Sequence, residues 1–163
     1  MYYRCSLILI LSLTLALALF TPAWAGERKP VKPSAKDKCP VCGMFVAKYP
    51  DFVAQIIFRD GSHAAFDGAK DMFKYYFNLE KYNPSKKWKD IDSIYVTDYY
   101  SLTLVNGMAA TYVMGSDVFG PMGKELISFA QETDAQEFIK DHKGQSLMKF
   151  KDVTREMIQE LDG

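Results

Sequence analysis

The sequence predicts an α+β fold: two small ββαβ units packed together, an internal duplication, preceded by a signal peptide and a flexible tether. Three observations carry this. Residues 39–100 and 101–163 each run hairpin, helix, strand, although the identity between the two halves is weak. Within each half the apolar period changes from that of a strand to that of a helix. A short apolar leader and a charged stretch stand ahead of both. Neither unit is large enough to stand confidently alone, so the two are expected to pack on each other.

Residues 1–25 have the composition of a secretory signal. Arg4 is their only charge, Leu7 to Phe20 is an apolar run broken by Ser12 and Thr14, and Ala23-Trp24-Ala25 supplies a small–x–small cleavage pattern. The run is shorter than the roughly 20 residues of a membrane-spanning helix. An uncleaved N-terminal anchor is the alternative. Cys5 precedes the apolar run, so no lipid-attachment cysteine is evident, and the mature chain is expected to begin near Gly26 and be soluble. Loss of Arg4 leaves 19 basic against 20 acidic residues, which gives no footprint for nucleic acid or an anionic membrane surface. The mature chain keeps Cys39 and Cys42, too few for a disulfide scaffold.

Residues 26–38 are rich in Lys and Pro and nearly free of apolar side chains, hence the expected tether. In the first unit an apolar run from Phe52 to Phe58, the turn Asp60-Gly61 and Ala64 to Phe66 predict a hairpin. Ala69, Met72, Phe73, Tyr76 and Phe77 then fall on one face of a helix, with Asp67 as its N-cap. A lysine-rich connection follows, and Ser93 to Tyr99 predicts a strand. In the second unit Leu102 to Val105, Asn106-Gly107 and Ala109 to Val113 predict another hairpin. After an irregular stretch, Leu126 to Phe129 predicts a strand. Thr133 and Gln136 form a capping box for a helix that runs through His142 and stops at Gly144. Ser146 to Phe150 predicts a strand, and Val153, Met157, Ile158 and Leu161 a final helix.

Cys39-Pro40-Val41-Cys42-Gly43-Met44 carries the chemistry. Two thiols and a thioether lie within six residues, and soft donors at that density select soft metals, Cu(I) above all. In an extended segment Cys42 and Met44 project to one face about 6.5 Å apart, with Gly43 letting the backbone bend. Zinc needs four ligands and rarely takes a thioether; Cys39, Cys42, His63 and His142 are the donors available to it. The C-x-x-C spacing also suits a redox pair or a disulfide formed on export, although the motif follows a tether rather than opening a helix. Met122, on the turn Gly120-Pro121-Met122-Gly123, is a candidate donor, because core packing explains a turn methionine less well than one inside a helix. Met72, Met148 and Met157 fit core positions. His142, at a helix end, is a candidate ligand whose simpler role is to oppose the helix dipole. No catalytic triad, paired carboxylates or phosphate loop stands out, and the acidic residues look like solvated surface charge.

With Cys39 to Met44, Tyr95-Val96-Thr97-Asp98-Tyr99, Gly120 to Gly123, and Asp134-Ala135 through Phe138 to His142 in this order, the chain resembles the NosL family from about Lys38 to Phe150. These are copper-binding accessory proteins of nitrous oxide reductase assembly. The resemblance implies a periplasmic protein of two ββαβ units, related in fold to organomercurial lyase domains. It implies Cu(I) held by Cys42 and Met44, with Met122 or His142 completing the site; the sequence leaves Cys39 open as a further ligand, a disulfide partner of Cys42 or a bystander. It also implies a metallochaperone rather than an enzyme, with apo-nitrous oxide reductase or another periplasmic cuproenzyme as recipient and a membrane copper donor or transporter upstream. The alternatives are a dithiol or organomercurial-type enzyme using Cys39 and Cys42, and a zinc-bound interaction module. Many family members are lipoproteins, which this leader does not match. Lys143 also stands where two glycines often follow the family's histidine.

Overall fold

Strand β1 (Ala54–Phe58) is buried along its whole length, so it reads as a continuous apolar run rather than an alternating one. It lies at the centre of an antiparallel sheet with β2 (His63–Phe66), β3 (Ile91–Thr97) and β4 (Leu104–Asn106), in the order β2-β1-β3-β4. The computed structural model describes residues 27–162; the expected leader lies outside them. Residues 27–38 contain no helix or strand and lie against the back of this sheet. The Val31 amide donates to Gln55 Oε1 at 2.9 Å, and the Tyr95 hydroxyl donates to the Arg28 carbonyl at 2.7 Å. That cover explains why Gln55 is buried in mid-strand.

Helix α1 (Ala69–Phe77) closes the front of the sheet and is followed by the single turn α2 (Leu79–Tyr82). A second antiparallel sheet holds β5 (Thr111–Met114), β8 (Ile127–Phe129) and β9 (Ser146–Lys149) in the order β8-β5-β9. It is covered by α3 (Glu132–Asp141), and α4 (Arg155–Glu160) ends the described chain. Between β5 and β8 stands a two-stranded hairpin, β6 (Phe119–Gly120) and β7 (Gly123–Lys124). Strand, strand, helix, strand therefore occurs twice, as β1-β2-α1-β3 and β5-β8-α3-β9, with the first strand of each central.

The second predicted hairpin is not formed. β4 pairs with β3 of the first sheet, while β5 pairs with β8 and β9 of the second. Asn106-Gly107 instead carries the chain from one sheet to the other. The Gly107 amide donates to the Ile94 carbonyl at 2.7 Å, so close that a Cβ there would sit 2.9 Å from Ile94 Cγ2. The Asn106 side chain turns the chain away by accepting from the Met108 amide. Neither predicted helix cap is used. Gly68 rather than Asp67 holds the N-cap position of α1, with no side-chain cap, and α3 starts at Glu132 without one either.

One core joins the units. Phe73 of α1 packs edge-on against Tyr112 of β5 and at a tilt against Phe150, with ring centroids 5.2 and 4.9 Å away. Met72, Met114 and Met148 are buried in this core, as expected of Met72 and Met148. A smaller cluster of Val113, Ile127, Phe129, Ala135 and Phe138 lies under α3.

Candidate metal centre

Cys39 to Met44 folds into a tight knuckle rather than an extended segment. The Gly43 amide donates to the Cys39 carbonyl at 2.9 Å and the Cys39 amide to the Met44 carbonyl at 2.8 Å. Gly43 has φ +81° with open space where a Cβ would be, so glycine is needed there for conformation alone. The curl brings Cys42 toward Cys39.

The knuckle docks on the start of α1. Asp67 and Asp71, one helical turn apart, face it: the Cys42 thiol donates to Asp67 Oδ1 and the Cys39 thiol to Asp71 Oδ2, each at 3.2 Å. The two sulfurs and one oxygen of each carboxylate all lie within 4.8 Å of one another. Cys39, Asp67 and Asp71 are buried and Cys42 is half-buried, so the group opens to solvent on the Cys42 side. Asp67 Oδ2 is buried with no hydrogen-bond partner in the protein. Both cysteines are free thiols.

Burial, aided by the neighbouring carboxylates, disfavours both thiolates. It pushes Cys42 up to about 12 and Cys39 higher still. A cation arriving among these groups reverses that balance by displacing a thiol proton.

Of the residues singled out from the sequence, Cys39 and Cys42 come together, and Met44 is half-buried on the same knuckle. Met122 lies at the tip of the β6–β7 hairpin, 45% exposed, its carbonyl accepting from Lys70 Nζ of α1 at 2.8 Å. His142 is not part of the four-donor group. Its Nδ1 lies 3.2 Å from Asp117 Oδ1, and its ring stacks on Phe138 at 4.4 Å. His63 is exposed and also outside the group.

Asp67 and Asp71 were not anticipated, since acidic residues normally remain in solvent. Their i, i+4 spacing at the head of an amphipathic helix is the signal that points to a shared face. Asp98 and Glu125 are buried acids as well, and burial raises Glu125 to about 7.

No described helix is long and apolar enough to cross a membrane. The NosL family model matches residues 30–158. The copper-binding lipoprotein NosL of Stutzerimonas stutzeri is 26% identical over 164 residues, covering 91% of this chain and 82% of its own length. The crystal structure of the copper chaperone NosL from Shewanella denitrificans superposes with a TM-score of 0.67 at 22% identity. That match covers 78% of this chain and 97% of the other, and shows the shared fold. The match of the family model over most of the sequence establishes that the chain belongs to the NosL family.

Proposed function

We propose that this chain is an exported Cu(I) carrier that hands copper to a periplasmic apo-cuproenzyme, with nitrous oxide reductase as the recipient the resemblance implies. In this reading Cys42 supplies a thiolate, and Met44 and Met122 supply thioethers. The observation that carries it is the placement of Cys42, half-exposed on a glycine-hinged knuckle, where a partner's ligands can reach and displace it. Charge supports a single thiolate. Cu(I) and one thiolate cancel, leaving the two buried carboxylates as they were, whereas a second thiolate adds an uncompensated negative charge. Neutral thioethers complete the coordination without that cost, and Cys39 stays protonated on Asp71.

Export to the periplasm and receipt of copper from a membrane donor follow from the same reading. A second reading is favoured by the four-donor group itself: two thiols and two carboxylates within 4.8 Å also suit a tetrahedral divalent ion such as zinc. Anaerobic titration of the reduced mature protein with Cu(I) against a competing chelator, followed by native mass spectrometry, separates the two. One tightly bound Cu(I) per chain, lost in Cys42→Ser, is the expected result. Unchanged Cu(I) affinity in that variant, or retention of zinc in preference to Cu(I), overturns the carrier.

A further inference from the structure

We propose that Lys70 and Glu125 are positioning residues that hold the Pro121-Met122 turn at the head of α1, where the Met122 thioether reaches copper carried by Cys42. The inference rests on the reading of Met122 as a donor.

Residues 67–71 divide their side chains between two neighbours. Asp67 and Asp71 turn to the thiols of the knuckle. Gly68 and Lys70 turn to the second unit's inserted hairpin and the chain that leaves it. The Lys70 side chain is 2% exposed, and its Nζ donates to the Met122 carbonyl at 2.8 Å and to the Leu161 carbonyl at 3.3 Å. It also lies 3.6 Å from Asp162 Oδ1. A buried lysine thus spends its donors on two backbone carbonyls, one of them that of the candidate ligand.

Glu125 secures the other side. Its Oε1 accepts from the amides of Lys70 at 2.6 Å and Leu126 at 2.8 Å. The carboxyl group is wedged between two glycines on opposing pieces of chain. A Cβ on Gly68 would fall 2.0 Å from Glu125 Oε2, and one on Gly120 would fall 3.0 Å from Glu125 Cγ. A Cβ on Gly68 would force Glu125 to move, and one on Gly120 would need it to give by a few tenths of an ångström, so glycine on each side lets helix and hairpin close on this side chain.

The seat is made of main chain and buried charge, because Met122 cannot hold itself. Its side chain is 45% exposed, and Phe119 on the same hairpin is 62% exposed. The partly exposed Met122 thioether is free to bind while its backbone is held by Lys70. Glu125 meets the Lys70 amide while the Lys70 ammonium meets the Met122 carbonyl, and burying both side chains costs stability unless those bonds are made, so register between helix and hairpin is the role that accounts for them.

The test combines Cu(I) affinity, measured by chelator competition, with the NMR signal of the Met122 methyl in protein carrying labelled methionine. In the unaltered protein Cu(I) should shift that signal. Lys70→Leu should weaken Cu(I) binding roughly 10- to 100-fold, the range for residues that orient metal ligands, and abolish the shift. Met122→Leu should weaken binding to the same degree, and Lys70→Leu should add nothing in the Met122→Leu background. A general loss of structure would instead add to it. Should Lys70→Leu fail to fold, Gly120→Ala carries the test: its added Cβ presses on Glu125 and leaves the Lys70 donors intact, with the same expected losses. Wild-type affinity and methyl shift in Lys70→Leu and Gly120→Ala, alongside weakened binding in Met122→Leu, would leave Met122 a donor and overturn the positioning role. Unchanged binding in Met122→Leu would overturn the donor reading and the positioning role together.

Discussion

The two ββαβ units share a strand order but use their helices differently. α3 of the second unit fully buries only Ala135 and Phe138, with Ile139 packed beside them, and leaves most of the rest to solvent. α1 of the first unit buries six of its nine residues, among them Lys70 and Asp71, and Asp67 is buried just ahead of it. One helix covers a sheet. The other also carries ionisable groups into the interior, where they cost stability unless something uses them. The connection between the first two strands differs in parallel: a tight turn at Asp60-Gly61 in one unit, a stretch holding the Met122 hairpin in the other. The two units share a frame, and the departures from it carry the buried acids beside the thiols and the methionine proposed as a donor.

The largest effect should come from the side chain that binds the two units into one. Phe73→Ala, emptying a position between Tyr112 and Phe150, should cost about 3–5 kcal/mol in urea unfolding and lower both units in a single transition. Separate transitions would show that the units are independent, and the comparison would fail.

Next is pH. Burial raises Glu125 to about 7 from an ordinary 4.5, so the folded state holds its proton more tightly than the unfolded one. Its contribution to stability is therefore complete below about 4.5 and is lost as pH rises through about 7, a change on the order of 3 kcal/mol. Glu125→Gln should flatten that part of a stability-against-pH curve; a slope identical to wild type would contradict the burial of its charge.

Copper binding should depend on pH in the opposite sense. Cys42 keeps its proton until about 12, so Cu(I) must displace it, and affinity should rise about tenfold per pH unit between pH 6 and 8, an interval far below that value. About a hundredfold per unit would mean that Cys39 gives up its proton too and joins the site. The smallest effect should be at the far end of α3: His142→Ala removes a stacked ring from Phe138 at a cost of about 1 kcal/mol, and should leave Cu(I) affinity at its wild-type value.

These sites also mark what the sequence could and could not reveal. The Asp60-Gly61 hairpin and the apolar face of α1 were legible because a turn and a helix are decided within a few residues. Asn106-Gly107 was misleading for the same reason: its local chemistry is that of a hairpin, but its course is decided by contact with Ile94. The thiols announced themselves through residue type and spacing. Their carboxylate neighbours did not, because Asp67 and Asp71 are covered by a knuckle distant in sequence, just as Lys70 is covered by a hairpin in the other unit. A charged residue gives no local sign that distant chain will cover it.

X-ray absorption at the copper edge of the Cu(I)-loaded protein tests the ligand set most directly. The expected spectrum is that of Cu(I) with sulfur neighbours only, losing one scatterer in Met122→Leu and collapsing in Cys42→Ser. Oxygen neighbours in the first coordination sphere would contradict it, assigning the metal instead to the carboxylates of Asp67 and Asp71 beside the two thiols.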